Sequence, residues 1–267
     1  MSWPASGNPA NFDFMKPLSL PVWCLAGAAI LLAGCGTLRE SNSKNHVVTQ
    51  ASTYDALFHG LYDGEVPLRE MAPLGNQGLG TVDHFDGEVF LLDGKFHVIR
   101  GDGHVDSITD LNTTSPFLEV ESFHGDLSRK LPVGTTYAQL QQFPLDVLPT
   151  QNIIYAVRLE GVFQHVKTRS IPRQSKPYVP LTELTKTQPT FEFTNVTGTM
   201  VGFWSPPSSK GVALAGWHLH FLTADQQGGG HVLEFTTQDV VVKMDECHEF
   251  HWLIPDSDDF RRTDFTK

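Results

Sequence analysis

The stretch Thr81–Ile99, TVDHFDGEVFLLDGKFHVI, carries the clearest indication of the fold. It contains two Asp-Gly dipeptides, Asp86-Gly87 and Asp93-Gly94, and strand-forming residues flank each of them. Asp-Gly is favoured in two-residue hairpin turns because both central positions of such a turn have positive φ. The stretch therefore predicts a three-stranded antiparallel meander.

A two-residue turn at Asp86-Gly87 would set the pairing of the first two strands. In that register Phe85 faces Glu88, and Thr81 faces Leu92. Because side chains alternate between the two faces along a strand, Thr81 and Glu88 then share one face of the sheet. The pattern predicts a threonine and a carboxylate close together.

Residues 152–171, NIIYAVRLEGVFQHVKTRSI, show a similar pattern around Glu160-Gly161. The Glu-Gly dipeptide stands between two strand-like runs and predicts a second hairpin. Strand alternation then sets Arg169 on the same face as His165 and Lys167. One face of this second hairpin is predicted to be basic.

The helix candidates are few and short. Ser52-Thr53-Tyr54-Asp55 resembles a capping box in front of ALFHGLY, and Thr136 and Gln139 form the same pattern in TTYAQLQQF. The third candidate is VPLTELTKTQ, residues 179–188. With strands and turns elsewhere, the predicted fold class is α+β: two β-rich halves with mixed or antiparallel sheets and a few short helices.

The sequence predicts four consecutive segments. They are a signal peptide at residues 1–34, a flexible tether at 35–50, an N-terminal β-rich half at 51–171 and a C-terminal β-rich half at 172–267. The tether is predicted from its polar, aperiodic composition. The boundary at residue 172 is placed at the proline-containing stretch PRQSKPYVP.

The beginning of the chain predicts its compartment. Residues Leu18–Gly34 are largely apolar and lead into Cys35, preceded by Leu32-Ala33-Gly34. Small residues before a cysteine are typical of the cleavage and acylation site of a bacterial lipoprotein. A start at Met15 instead of Met1 would give a signal peptide of conventional form, and a retained transmembrane helix is the alternative. We expect a mature protein that begins at Cys35, outside the cytoplasm, and is held to the membrane by lipid.

The composition limits the possible partners. The 267-residue chain has a formal net charge of -11 at pH 7, which argues against a nucleic-acid surface. A lipid anchor, and not a basic patch, is then the expected membrane contact. Removal of Cys24 and acylation of Cys35 would leave only Cys247, so no disulfide is expected within the mature chain.

The stretch Gly216–Phe235, GWHLHFLTADQQGGGHVLEF, reads as a β-hairpin with three histidines. His218 and His220 are two residues apart and share one strand face, and the glycine-rich loop returns the chain to His231. Three neutral imidazoles suit Zn2+ and leave coordination positions open. Since a structural zinc site usually has four protein ligands, the pattern favours a catalytic metal.

A second cluster, CHEFH, would place Cys247, Glu249 and His251 on one strand face. A thiolate binds zinc well, but neither a glycine loop nor a third imidazole accompanies these residues. An exposed strand segment is therefore the favoured interpretation of CHEFH.

Four stretches of the sequence carry a resemblance to a known family. LYDGE, GTVDHFDGEVFLLDGKFH, YAVRLEGVFQHVKTRSIPRQSKPYVPL and the histidine hairpin resemble the bacterial α-acetolactate decarboxylases, and the similarity extends from about Tyr54 to Thr263. The resemblance implies zinc-dependent, non-oxidative decarboxylation of 2-acetolactate to acetoin and CO2, without an organic cofactor. It also implies an α+β fold of two β-rich halves and a homodimer.

The resemblance also implies roles for individual residues. It assigns the metal ligands to His218, His220 and His231. It makes Glu88 an active-site glutamate, Arg169 an active-site arginine that also binds substrate, and Thr81 a substrate-binding hydroxyl. Without the resemblance, the last three would be read as an exposed carboxylate, a surface charge and an ordinary strand residue. The family also brings a tail glutamate towards its metal. This chain lacks a matching segment, and Asp258, Asp259, Asp264 or water are the alternatives.

Two other classes of function remain open. A zinc hydrolase would use metal-bound water with Glu88 as the base, and it would need a cleft for a larger substrate. A binding module would keep the histidine hairpin for structure or for recognition without turnover.

Overall fold

A computed structural model of the protein describes residues 46–142 and 144–266. The predicted signal peptide, the acylation site at Cys35 and most of the predicted tether lie outside the described residues. Within the described ranges, no helix has the length and apolar character needed to span a bilayer.

Strands dominate the described part of the chain, and the helices are short. The strands are β1 (Val47–Ala51), β2 (Val66–Pro67), β3 (Gln77–Thr81), β4 (Glu88–Leu92), β5 (Lys95–Ile99), β6 (Val105–Ser107), β7 (Thr114–Ser115), β8 (Phe117–Glu121), β9 (Leu127–Lys130), β10 (Ile154–Arg169), β11 (Thr190–Ser205), β12 (Gly216–Thr223), β13 (Gly229–Cys247) and β14 (Glu249–Leu253). The α-helices are α1 (Tyr54–Phe58), α2 (Leu68–Met71), α3 (Tyr137–Gln142), α4 (Leu181–Leu184) and α5 (Asp258–Arg262). Single 3-10 turns cover Ala72–Leu74, Asp83–Phe85, Pro144–Asp146 and Pro207–Ser209.

Two large sheets form the body of the protein. One has seven strands in the order β14-β1-β8-β3-β4-β5-β6, which is antiparallel except for the β1–β14 pair. The other has five strands in the order β10-β11-β12-β13-β9. Because β13 also pairs with β10, four strands of the second sheet close on themselves. The predicted α+β fold class, with mixed and antiparallel sheets and a few short helices, is confirmed.

The three predicted helices are present. Thr53 caps α1, its side chain accepting a hydrogen bond from the backbone N–H of Ala56. At the start of α3, the backbone N–H of Thr136 donates to the Gln139 side chain at 2.8 Å, as expected for a capping box. The third candidate forms α4.

The two sheets pack face to face, and this packing positions the site. Phe163, Phe221 and Phe235 meet in the core of the closed strands, with ring centroids of adjacent pairs 5.7 and 5.9 Å apart. A separate cluster joins the sheets and contains both Phe117 of β8 and Phe203 of β11. The second sheet thereby covers the face of the seven-stranded sheet on which the Phe117 side chain lies.

The predicted segment boundaries are wrong in two respects. The last four residues of the segment 35–50 lie in β1, an inner strand of the seven-stranded sheet, and therefore are not tether. The boundary at residue 172 does not separate the sheets, because β10 belongs to the second sheet and β14 returns to the first. Strands distant in sequence pair in both sheets, and local composition does not report such pairing.

The N-terminal end of β1 is held by a polar network. The His46 ring lies between two carboxylates, with Nδ1 2.8 Å from Glu121 Oε1 and Nε2 3.2 Å from Asp126 Oδ2. Burial disfavours the charged imidazole, but the hydrogen bonds to both carboxylates outweigh it and raise the pKa of His46. The last residues assigned to the tether thus belong to the folded body.

The meander over Thr81–Ile99 forms, but its first turn differs from the prediction. Leu92 pairs with Lys95 across a two-residue turn at Asp93-Gly94, as predicted. At Asp86-Gly87 the register is wrong, since Thr81 pairs with Glu88 and a longer loop intervenes. Phe85 leaves the strand and packs against the ring of Tyr62, 5.2 Å away. Thr81 and Glu88 nevertheless share a face because they are direct partners.

The predicted hairpin at Glu160-Gly161 is wrong, because β10 continues through it. Gly161 lies between partners on both sides, opposite Gly198 of β11 and Val240 of β13. A Cβ atom at Gly161 would lie 2.0 Å from the carbonyl oxygen of Asp239. Glycine at this position therefore permits the close approach of two strands and does not mark a turn.

Candidate metal centre and active site

The histidine hairpin is formed by β12 and β13. His220 pairs directly with His231, and His218 lies two residues before His220 on β12. The three imidazole ring centroids are 5.1 to 5.3 Å apart. The structure thus brings together the three histidines on which the sequence prediction depends.

The ring nitrogens of this cluster suit a metal ion. His220 Nδ1 donates a hydrogen bond to the Val89 carbonyl oxygen at 2.7 Å, which leaves Nε2 with a free lone pair. His218 Nδ1, His220 Nε2 and His231 Nδ1 are buried without a hydrogen-bond partner among the described residues. One nitrogen from each ring lies within 4.8 Å of the other two. Three imidazoles that can each direct one nitrogen to a common point fit an ion better than a packed core.

The electrostatics of the cluster favour ligand nitrogens that are free of protons. Burial, supported by the nearby Arg169 charge, lowers the pKa of His218 to about 3. Burial likewise lowers the pKa values of His220 and His231 well below the usual 6.5. All three imidazoles are therefore neutral at neutral pH, which is the form that binds a metal.

Glu88 and Arg169 form a buried ion pair beside the histidines. Arg169 Nη1 donates to Glu88 Oε1 at 2.5 Å, and Glu88 Oε2 lies 3.3 Å from His220 Nε2. Glu88 begins β4, and Arg169 ends β10 opposite His231. The site is thus built where the two sheets meet. Arg169 and Glu88 are 7% and 3% exposed, so neither is the surface charge that composition alone would suggest.

A glycine allows Arg169 to approach the histidine strand. Gly230 has φ +128°, and a Cβ atom there would lie 2.4 Å from the Arg169 carbonyl oxygen. Only glycine fits both the backbone conformation and the space. The glycine-rich loop therefore contributes to the alignment of Arg169 and His231.

Opposing effects of burial and of neighbouring groups set the pKa of Glu88. Burial raises its pKa to about 6, while the charge and hydrogen bond of Arg169 and the backbone N–H of Ile171 lower it. A carboxyl group with this pKa can both accept and return a proton at physiological pH.

Thr81 lies beside Glu88 but is engaged with the backbone. Its hydroxyl donates to the Gly87 carbonyl oxygen at 2.6 Å, and its side chain is 1% exposed. A hydroxyl that donates in this way still has lone pairs with which it can accept a hydrogen bond.

Sequence reasoning missed a further polar residue of the site, Glu119 on β8. Its Oε2 atom lies 3.5 Å from His218 Nδ1, and the residue is 2% exposed. Burial raises the pKa of Glu119 to about 8. In FLEVE, residues 117–121, acidic residues alternate with apolar ones. That alternation is typical of a strand with one solvent-facing side, so the sequence contains no signal for this site.

The second cluster, CHEFH, does not form a site. Cys247 is buried at the end of β13, whereas Glu249 and His251 are exposed on β14. Burial raises the pKa of the Cys247 thiol, which disfavours a thiolate ligand.

The tail aspartates also lie in other surroundings. Asp258 pairs with Arg262 at 2.8 Å, and Asp259 lies 3.9 Å from Lys176. Asp264 accepts a hydrogen bond from the Thr266 hydroxyl. These carboxylates are exposed, so they do not take part in the buried cluster of histidines.

Known proteins are similar to this chain in sequence and in fold. The sequence profile described as "Alpha-acetolactate decarboxylase" matches residues 48–267. The alpha-acetolactate decarboxylase of Methanosarcina mazei is 40% identical over 221 residues, covering 82% of this chain and 76% of that protein. For the Bacillus licheniformis enzyme the identity is 35% over 220 residues, covering 82% and 87%.

A solved structure agrees with these sequence matches. The crystal structure of alpha-acetolactate decarboxylase from Bacillus subtilis strain 168 superposes with a TM-score of 0.79 at 35% identity, covering 83% of this chain and 94% of that one. The family profile spans most of the chain, and the relatives exceed 30% identity over most of their own lengths. This chain belongs to the alpha-acetolactate decarboxylase family.

Proposed function

We propose that this protein is a zinc-dependent enzyme that decarboxylates 2-acetolactate to acetoin and CO2. The observation that carries the proposal is the convergence of the imidazoles of His218, His220 and His231, with one nitrogen of each ring within 4.8 Å of the other two, beside the Glu88–Arg169 pair. Neutral nitrogen donors suit Zn2+, and the three histidines would leave positions open for a substrate. His218, His220 and His231 would hold the ion.

When bound there, zinc would act as a Lewis acid that polarises the ketone and hydroxyl oxygens of the substrate and stabilises developing negative charge. Such chemistry would remove the need for an organic cofactor as electron acceptor. The protein groups around it then have to bind the carboxylate and manage protons.

Arg169 is the proposed binding group for the substrate carboxylate. Its guanidinium is buried at the histidine cluster, and a planar fork of N–H donors matches the two oxygens of a carboxylate. One nitrogen, Nη1, already donates to Glu88, which holds the fork in position. The carboxylate that leaves as CO2 would thus be oriented next to the metal ligands.

Glu88 is the proposed proton carrier. Its Oε2 atom faces His220, and its pKa of about 6 lets the carboxyl group exchange a proton near neutral pH. Decarboxylation leaves an electron pair on carbon that must finally be protonated, and Glu88 can take the substrate hydroxyl proton and return it. Thr81, the direct partner of Glu88 in the sheet, would accept a hydrogen bond from the substrate hydroxyl.

The test is an assay for acetoin from 2-acetolactate with zinc-loaded protein, chelator-treated protein and chelator-treated protein given zinc again. We expect activity, loss of activity and recovery, with the circular dichroism spectrum unchanged throughout. A zinc hydrolase would instead cleave an ester or amide and leave acetolactate intact, and a structural metal would lead to unfolding on chelation. Absence of acetoin from zinc-loaded protein would reject the proposal.

We further propose that the mature protein is attached to the outer side of a membrane by lipid on Cys35. The support is the apolar run that ends in Leu32-Ala33-Gly34-Cys35, which lies outside the described residues. We expect mass spectrometry of the native protein to find a diacylglyceryl group on Cys35 as the first residue. An unmodified N-terminus upstream of Cys35 would contradict this localisation.

A homodimer is the proposed assembly. β14 is an edge strand of the seven-stranded sheet, and Trp252, Leu253 and the following Ile254 are 37% to 60% exposed there. An edge strand with apolar side chains offers a surface that a second copy could cover.

A further inference from the structure

The buried carboxylate of Glu119 has no role in the function proposed above. Glu119 lies in the middle of β8, paired with Gln50 of β1 and Leu79 of β3. The packing of the second sheet covers it, and its Oε2 atom has no hydrogen-bond partner in the described part of the chain. Burying a carboxyl oxygen costs free energy unless a neighbouring group forms a hydrogen bond or an ion pair with it.

The group that faces Glu119 is a ring nitrogen of His218. Glu119 Oε2 and His218 Nδ1 are 3.5 Å apart, and both atoms are buried and lack a hydrogen-bond partner in the regions described. An ionised carboxylate can only accept a hydrogen bond, here from the imidazole N–H, and a cation held by the opposite ring nitrogen would favour this ionised form over the protonated form that burial favours. A slightly closer approach, with the N–H directed at the oxygen, would give an ordinary hydrogen bond.

The neighbouring histidine shows how such a contact works. His220 Nδ1 donates to the Val89 carbonyl oxygen, and this bond sets the tautomer that frees Nε2 for a metal. Imidazole ligands of metals are generally held in this way by an acceptor on the other nitrogen. His218 stands on the same strand and has a carboxylate in the corresponding place.

We propose that Glu119 is a positioning residue of the metal centre, which accepts the Nδ1–H of His218 and thereby presents Nε2 of that ring to the metal ion. This inference rests on the proposed function, because it presupposes the histidine metal site. Glu119 itself does not touch the metal or the substrate in this arrangement. Replacing Glu119 should therefore change the affinity for the metal ion more than the rate of the chemical step in the metal-loaded enzyme.

Two substitutions separate the hydrogen bond from the mere filling of space. Glu119→Gln keeps an oxygen that can accept from His218, whereas Glu119→Met has similar length and shape but no such acceptor. Glu121→Gln is the matched control, because Glu121 is buried two residues further on the same strand and contacts His46 instead. The measurement is the zinc dissociation constant, obtained by competition with a chromogenic chelator.

We expect Glu119→Met to weaken zinc binding by about 10- to 100-fold, the usual effect of losing such a partner of a ligand. Glu119→Gln and the Glu121→Gln control should bind zinc nearly as tightly as the unaltered protein. Equal affinity in Glu119→Met would overturn the proposal. So would an equally large loss in Glu119→Gln, since charge or direct ligation would then be the requirement.

A readout on the unaltered protein covers the case in which Glu119→Met does not fold. Nitrogen NMR of the zinc-loaded protein should show His218 protonated at Nδ1 and metal-bound at Nε2, and zinc bound at Nδ1 would contradict the inference. If the unaltered protein binds no zinc, the proposed function fails. If it binds zinc through the histidines but His218 and the variants behave otherwise, only the role of Glu119 fails.

Discussion

Replacing His220 with alanine is expected to abolish both zinc binding and the production of acetoin. His220 is 1% exposed, pairs directly with His231, and has its Nδ1 atom held by the Val89 carbonyl. Its Nε2 atom is the ring nitrogen that also faces Glu88. Removing it leaves two histidines, which is too few for a zinc site of the three-ligand type.

The expected loss in kcat/KM is about a thousandfold or more, equivalent to about 4 kcal/mol of transition-state stabilisation. Zinc content, measured on the purified variant, should fall to the background level. The fold should persist, because β12 and β13 are held by main-chain pairing on both sides and not by the imidazole. Unchanged zinc content in the His220→Ala variant would remove this residue from the metal site.

His251→Ala is the matched control for this experiment. His251 is also a strand histidine, but it lies exposed on β14 within the rejected CHEFH cluster. Both zinc content and activity should be unaffected. A loss of zinc in this variant as well would mean that histidine substitution has a general effect and that the two clusters have not been separated.

Local patterns predicted the parts of the fold that depend on neighbours in sequence. The Asp93-Gly94 turn formed as predicted because a two-residue hairpin is determined by the turn itself. The histidine hairpin formed for a related reason, since strand alternation puts His218 and His220 on one face whatever packs against it. The capped helices α1 and α3 likewise depend on a few adjacent residues.

The failures arise where distant segments compete with a local signal. Asp86-Gly87 is a strong turn dipeptide, but burying Phe85 against Tyr62 favours a longer loop. At Gly161, two flanking strands need a residue without a side chain, so the glycine is in a strand and not a turn. Glycine has both uses, and only the neighbouring strands decide between them.

Glu119 shows the same limit within the site. FLEVE has the alternation of a half-exposed strand, yet the second sheet covers the acidic face and turns Glu119 towards His218. Glu88 and Arg169 are also far apart in sequence, and no spacing rule predicts their hydrogen bond. Their assignment in advance depended on resemblance to a family, and the structure supplies the contact between them.

Replacing Arg169 with lysine is expected to lower kcat/KM by roughly tenfold to a thousandfold, about 1.4 to 4 kcal/mol of transition-state stabilisation. Lysine keeps the positive charge beside Glu88 but loses the planar fork that can bind Glu88 and a substrate carboxylate at the same time. The hydrogen bond of His220 to Val89 does not involve the guanidinium, and lysine keeps the positive charge that lies near the three imidazoles. Zinc content should therefore stay unchanged while activity falls.

The appropriate control is Arg158→Lys, on the same strand β10. Arg158 is buried to a similar extent, 8% exposed against 7% for Arg169, but it binds Gln77 and Asp93 and not Glu88. Any general loss of stability caused by replacing a buried arginine of β10 should appear in both variants. Loss of turnover with normal zinc content should appear only in Arg169→Lys. A fully active Arg169→Lys enzyme would show that a point charge suffices there. In that case the carboxylate must be held by other groups, while the histidine metal site would stand unaffected.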